Sequence, residues 1–457
     1  MRITNLNPGD DIGASAWLVE IDGHRILLDS GMHPRHDGRA GLPLFHLVDQ
    51  LTVDAIALSH CHHDHCGSLP VALRHFPHAR VMMTAPSYFI VERVLHNSVN
   101  VMKRQRAELG IGEYPLYHHR EVDELAHLFQ GFKYGRTVEW AVQDFPGEGA
   151  LPTLEFFDAG HVLGSAGILV RGRKESLFYT GDVCFSSQTI LDGARFESAR
   201  ADVLLMESTR GTTPTPDGWT REKETARLVV AINEALERNA CVLLPVFALG
   251  RTQEILALLA VEMQAGRMPR RPVFIGGLGR VFTEIYDLEA PRVERRLPDL
   301  SLHEALDLTV LDRGDAERMN LRGGKLLVCT AGMMSEHTAA HDFALRMAGD
   351  PDQAIFFVGY ADPETPGGRL KASEPGVAFH FSDTGGELVR RCDLRTFDMT
   401  AHAQREELVD FATGMSPRTV LLGHGDPPAR DWMETTLLER GATRVIHQPL
   451  PGQTVEV

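Results

Sequence analysis

The chain has no apolar run near the roughly 18 to 20 residues that span a bilayer. Its longest, such as Val242–Pro245 and Ile255–Val261, are far shorter, so no membrane association is expected. Cysteine is scarce: six in 457 residues, with no CxxC pair. That excludes a disulfide-stapled scaffold, and Cys61, Cys66, Cys184, Cys241, Cys329 and Cys392 read as the reduced thiols of a cytoplasmic protein. The opening MRITNLNPGD lacks the apolar core and small-residue cleavage pattern of an export signal, which agrees with a cytoplasmic location. Basic charge is also in deficit. Lys+Arg 46 against Asp+Glu 62 gives −16, the wrong sign for holding nucleic acid by bulk electrostatics. A polyanionic substrate would therefore need a local basic groove, or bound metal cations that a residue count omits. There is no fixed-period repeat and no low-complexity tract.

What is present is a series of short aliphatic runs: Arg25–Leu28, Ala55–Leu58, Leu177–Tyr179, Val203–Met206, Cys241–Leu244, Pro272–Ile275, Leu326–Val328, Ile355–Val358 and Val420–Leu422. They read as buried strands. Helical patterns lie between several of them, at Glu222–Leu236 and Thr252–Met263, which predicts an α/β protein. The length asks for two domains. The turn-rich TTPTPDG at 212–218 suggests a boundary just after Ser208, and Asp362–Gly368 a return.

Polar, metal-capable residues follow the strands: Asp29, His60, Asp182, Glu207 and His424. Carboxyl ends of strands are where open α/β sheets place their sites. The densest signal is SHCHHDHCG at 59–67, in which His60, His62, Asp64 and His65 form HxHxDH. Side chains at i and i+2 of an extended segment point the same way, so His60 and His62 can hold one ion while Asp64 and His65 reach a second. Imidazole and carboxylate ligands without thiolate suit zinc or manganese at a catalytic site.

With these residues in place the sequence resembles the metallo-β-lactamase superfamily, whose signature continues with an isolated His, an isolated Asp and a terminal His. DAGHVLGSAG offers His161, YTGDV offers Asp182 and LLGHGDP offers His424, in that order. The resemblance implies that His60, His62 and His161 hold one metal, that Asp64, His65 and His424 hold the other, and that Asp182 bridges. Asp29 of LLDSG would orient the metal-binding turn. Further stretches resemble the β-CASP branch, which cleaves nucleic acid: MESTRG with Glu207, PVFALGRTQEIL at 245–256, FVGYADPETPGGRL at 357–370 and TFDMTAHAQREEL with His402. They are close to the nuclease subunit of the cleavage and polyadenylation specificity factor and its prokaryotic relatives. Two departures are Gln404, where the family has an acidic residue two after the histidine, and Arg210, where it has an aromatic.

The architecture implied is an αββα metallo-β-lactamase sandwich of residues 1–207 and 371–457 with an α/β β-CASP domain, 208–370, inserted, the substrate threading the cleft between them. The activity implied is two-zinc hydrolysis of RNA, single-stranded rather than duplex, in endonucleolytic or 5′-to-3′ exonucleolytic mode, with manganese as the alternative metal. A homodimer is compatible with this reading. Asp64, His402 and Glu207 are the expected catalytic residues. A histidine outside the metal shell, held in its tautomer by a carboxylate, can protonate the departing sugar oxygen. Arg251, at the start of a helix, and Arg369 and Lys371 are expected phosphate contacts. The rival readings are a DNA-directed β-CASP nuclease and a small-molecule hydrolase such as a lactonase, which would not need Glu207, His402 or the inserted domain.

Overall fold

A computed structural model describes residues 1–141, 150–311 and 314–457. The chain folds into two compact units, one of residues 1–186, 193–215 and 402–457, the other of 187–192 and 216–401.

The first unit holds two seven-stranded sheets among the described residues. In one, the strands His24–Leu28, Ala55–Ala57 and Arg80–Thr84 run parallel. Its edge is closed by Thr454–Glu456 paired with Arg2–Asn5, a contact with no local sequence signal. In the other, Ser176–Tyr179, Val203–Glu207 and Thr419–Gly423 run parallel and side by side, flanked by the antiparallel Thr153–Asp158 and Ala166–Arg171. Side chains alternate between faces along a strand. Val203 and Leu205 accordingly join Ile26, Leu28, Phe156, Ile168 and Leu177 in the core between the sheets. Leu204 and Met206 turn the other way, onto Leu408, Val409, Met433 and Leu437 of the helices Arg405–Met415 and Pro427–Glu439. The long helix Ala85–Leu109 covers the outer face of the first sheet. It starts where the Thr84 hydroxyl accepts from Ser87 N–H and stops at Gly110, whose φ of 70° a side chain would disfavour. Helices outside two facing sheets make the αββα sandwich expected.

The second unit is built on a six-stranded parallel sheet in the order Leu308–Leu311, Val273–Gly276, Leu326–Cys329, Val242–Pro245, Ala354–Phe357, Asp393–Thr396. This unit begins at Pro216, inside the turn-rich tract, and runs on to Ala401 rather than ending at 370. The physical reason is that Asp393–Thr396 pairs with Ala354–Phe357 and extends the sheet, while the hairpin Ala378–Ser382 and Gly386–Val389 packs Phe381 into the same core.

Candidate metal centre

The strand ends of both sheets in the first unit converge on one cluster. Asp29 follows His24–Leu28 with φ of 61°, and His424 follows Thr419–Gly423 with φ of 43°. Non-glycine residues in the left-handed region carry strain that surrounding structure must hold, and such strain gathers at functional sites.

Asp29 is fully buried. Its Oδ1 accepts from Ser59 N–H at 2.6 Å, and its Oδ2 lies 2.7 Å from Ser59 Oγ, His65 Nδ1 and Tyr179 Oη. A carboxylate only accepts, so His65 carries its proton on Nδ1 and turns the Nε2 lone pair into the site. Ser59 Oγ, having given its proton to Asp29, accepts from His60 Nδ1 at 3.1 Å, which directs the His60 Nε2 lone pair inward as well. The loop backbone is fixed too: Ser15 N–H donates to the Asp64 carbonyl at 2.8 Å and Ser30 N–H to that of His65 at 2.8 Å. Gly31 is required beneath it, because a Cβ there would lie 1.7 Å from the Asp64 carbonyl oxygen.

Two groups of ligand atoms result. In the first, His62 Nδ1 is 3.1 Å from both His60 Nε2 and His161 Nε2, and Asp182 Oδ2 is 3.6 and 3.7 Å from those two Nε2 atoms. In the second, His424 Nε2 is 3.3 Å from Asp64 Oδ2 and 3.4 Å from His65 Nε2, and Asp182 Oδ1 is 3.4 Å from His65 Nε2. A tetrahedron with ligands about 2.1 Å from its centre has edges of about 3.4 Å, so both groups match the shell of a divalent cation. The chemistry agrees. Asp182 Oδ1 is buried with no hydrogen-bond partner, and the His65 Nε2 lone pair faces it at 3.4 Å. Acceptors facing one another in a dry site are stabilised by a cation between them.

Burial and the same carboxylates together set the proton equilibria. Burial pushes His60 well below the usual imidazole range, helped by the neighbouring His65. Burial also works against protonation of His65, but Asp182, Asp64 and Asp29 outweigh it and raise its pKa well above the ordinary value.

His402 borders both groups, its ring centroid 4.7 Å from that of His161 and 6.3 Å from that of His424. Its Nδ1 lies 3.1 Å from Oε2 of Glu207, which is fully buried and also accepts from Val183 N–H at 2.6 Å. Burial opposes charging of His402, yet the carboxylates of Glu207 and Asp182 raise its pKa overall.

The three expected phosphate contacts lie in the second unit. Arg251 opens the helix Arg251–Gln264 as anticipated, but its guanidinium is buried, donating to the Met399 carbonyl at 2.6 Å and to Gln188 Oε1. Lys371 donates to the Gly359 carbonyl at 3.1 Å and lies over the Phe357 ring. Arg369 is half-buried on the helix Pro366–Ala372.

Several supporting residues escaped the sequence reading. Tyr179 secures Asp29, and Thr209 Oγ1 lies 3.0 Å from His424 Nδ1. Tyr179 opens YTGDV and Thr209 lies within MESTRG, which was the available signal. His63, the histidine the motif leaves over, lies 2.9 Å from Ser98 Oγ on the helix Ala85–Leu109. Gln404 stands at the N-cap of Arg405–Met415, its N–H donating to Glu407 Oε2 at 2.8 Å, so this departure is absorbed as a helix start.

Comparison with known families agrees with this geometry. Residues 9–236 match the metallo-beta-lactamase superfamily, 252–370 the Beta-Casp domain, and 387–448 the Zn-dependent metallo-hydrolase RNA specificity domain. The chain belongs to the metallo-β-lactamase superfamily, in its Beta-Casp branch. It is 25% identical to Endoribonuclease YSH1 of Candida glabrata over 455 residues, covering 97% of this chain and 57% of the relative. It is also 25% identical to Integrator complex subunit 11 of Gallus gallus over 469 residues, covering 100% of this chain and 74% of the relative. The chain thus spans little more than half the length of the yeast relatives it matches. A crystal structure of a protein of unknown function from Enterococcus faecalis V583 shares the fold, with a TM-score of 0.59 at 13% identity over 99% of both chains.

Proposed function

We propose that the chain is a metal-dependent ribonuclease that uses two zinc ions, with His402 as the proton donor to the leaving group. One observation carries this: Asp182 turns one carboxylate oxygen to each ligand group, and the His402–Glu207 pair lies against both groups. In this reading His60, His62 and His161 hold one ion, Asp64, His65 and His424 hold the other, and Asp182 bridges them. Zinc is favoured over manganese by the five imidazoles of the set. Bound divalent ions supply a nucleophile near neutral pH and neutralise charge on the phosphate.

The chain's own residues do the rest. Asp29 fixes the tautomer of His65, and through Ser59 that of His60, so the lone pairs stay aimed at the cations. Asp64, at the lip of the second group and about a quarter exposed, orients what enters there. Glu207 accepts a hydrogen bond from His402 Nδ1–H and favours the doubly protonated ring, whose Nε2–H can then pass its proton to the departing sugar oxygen. A lactonase would have no use for that pair.

RNA is favoured as substrate by the match to the RNA specificity domain over 387–448 and by relatives that are endoribonucleases, which also favours internal cleavage. Two cations at the site offset part of the −16 charge for an incoming strand. Among the described residues no helix is long and apolar enough to cross a membrane. Six buried free cysteines fit a reducing, cytoplasmic setting. Incubating the protein with matched end-labelled single-stranded RNA and DNA, with and without chelator, tests the proposal. Chelator-sensitive internal cleavage of RNA is expected, and cleavage that survives chelation would overturn it.

A further inference from the structure

A second group of metal-capable side chains lies outside this centre, on the outer helices of the first unit. Glu92 and His96 are four apart on the helix Ala85–Leu109, and His119 and Asp123 are four apart on the helix His119–Ala126. Residues four apart share a helix face, so each helix presents one imidazole and one carboxylate to the other. His96 Nε2 lies 3.2 Å from Asp123 Oδ1 and 3.7 Å from Glu92 Oε1. These are edges of the same size as those in the centre described above.

The proton inventory indicates what belongs between them. His119 Nε2 lies 3.2 Å from Asn100 Oδ1, an acceptor, so it carries the proton and leaves a lone pair on Nδ1. That lone pair faces His96 Nδ1 at 2.9 Å, a contact that requires the His96 proton on Nδ1. His96 Nε2 is then a lone pair directed at two carboxylate oxygens. This is the arrangement in which a metal-ligating histidine is oriented by a hydrogen bond from its other nitrogen.

We propose that Glu92, His96 and Asp123 bind a further divalent cation of the zinc class, with His119 and Asn100 orienting His96 and water completing the shell. One nitrogen and two carboxylate oxygens suit zinc. The side chains range from 21% exposed at His96 to 63% at Asp123, so the ion exchanges with solvent. Its effect falls on the catalytic loop's support. The helix Ala85–Leu109 holds His63 through Ser98, and Tyr117, just before the second helix, donates to the Gly67 carbonyl at 2.9 Å. A cation joining the two helices braces both supports without touching the substrate.

The test uses the full chain, stripped of metal and dialysed against zinc alone. Asp123→Asn removes the most exposed ligand with the least risk to folding, and His96→Gln removes the nitrogen. Each variant is expected to hold one zinc fewer per chain than the parent. Anomalous diffraction at the zinc edge should place a peak among Glu92, His96 and Asp123 in the parent and none there in Asp123→Asn. Equal zinc content in parent and both variants would overturn the proposal, as would binding seen only at millimolar zinc. A protonated His96 paired with the two carboxylates would give that same negative result. Because the readout is the difference between parent and variant, it stands apart from how many ions the catalytic centre holds.

Discussion

Glu207, fully buried at the end of the strand Val203–Glu207, holds Nδ1 of the partly exposed His402 at 3.1 Å. The pair is a fixed carboxylate with a reachable imidazole, a geometry that favours the doubly protonated ring a proton donor needs. His402→Ala and Glu207→Gln are expected to lower RNA cleavage by about 10²- to 10⁴-fold while keeping both metals. Single-turnover cleavage rates measured beside elemental analysis separate the two effects. Normal cleavage by both variants would point to a different hydrolase.

Asp182 is expected to matter for both ions at once. Its oxygens face different ligand groups, and Oδ1 has no hydrogen bond to compensate for its burial. Asp182→Ala should bring the metal content of the catalytic centre clearly below that of the parent. Undiminished metal in that variant would refute the bridging role.

Asp29 touches no cation in this reading, yet it accepts from Ser59 and Tyr179 and faces His65 Nδ1. Asp29→Asn replaces one acceptor oxygen with a donor and unsettles the His65 tautomer. Metal affinity should fall by about 10- to 100-fold, as measured by competition with a chromophoric chelator.

Much of this centre was legible in the sequence because its ligands come from short contiguous motifs that follow strands. Once Ala55–Ala57 is a strand, the rest of HxHxDH must sit at its end. Arg251 shows where legibility stopped. Its place at a helix start was readable, but whether its guanidinium faces a phosphate or the carbonyl of Met399 depends on a residue 148 positions away. The pairing of Thr454–Glu456 with Arg2–Asn5, and the extension of the second unit by Asp393–Thr396, are likewise long-range events without a local signature. Asp29 was visible as a residue after a strand. That Tyr179, on the facing sheet, completes its set of donors was not.

RNA is expected to be cut in preference to DNA. His424 completes the second ligand group, and in the resembled family histidine at this last motif accompanies RNA cleavage, whereas DNA-cleaving members commonly carry valine there. Competition between matched RNA and DNA oligonucleotides at low salt, where a chain of charge −16 binds a polyanion best, measures the preference. Equal or faster DNA cleavage would reverse it and leave the metal centre untouched.

Gly31→Ala tests the seat of the catalytic loop. Its Cβ would lie 1.7 Å from the Asp64 carbonyl oxygen and 2.7 Å from Ser15 N, the two atoms joined by the hydrogen bond that fixes the loop. A loss of about 1–3 kcal/mol in folding stability is expected from such overpacking, together with reduced metal content. Thermal melting with and without added zinc measures both.

The ligands are drawn from both sheets: His60, His62, Asp64 and His65 follow a strand of one, while Asp182 and His424 follow strands of the other. Ions held among them would therefore act as rivets through the sandwich, and Tyr179 bonded to Asp29 is a smaller stitch beside them. A substitution deep between the sheets, at Ile168 or Leu28 for instance, that pries them apart by a fraction of an ångström would spoil coordination long before it unfolded the chain. Under the proposed ligand set, metal retention would thus be a strain gauge for the hydrophobic core.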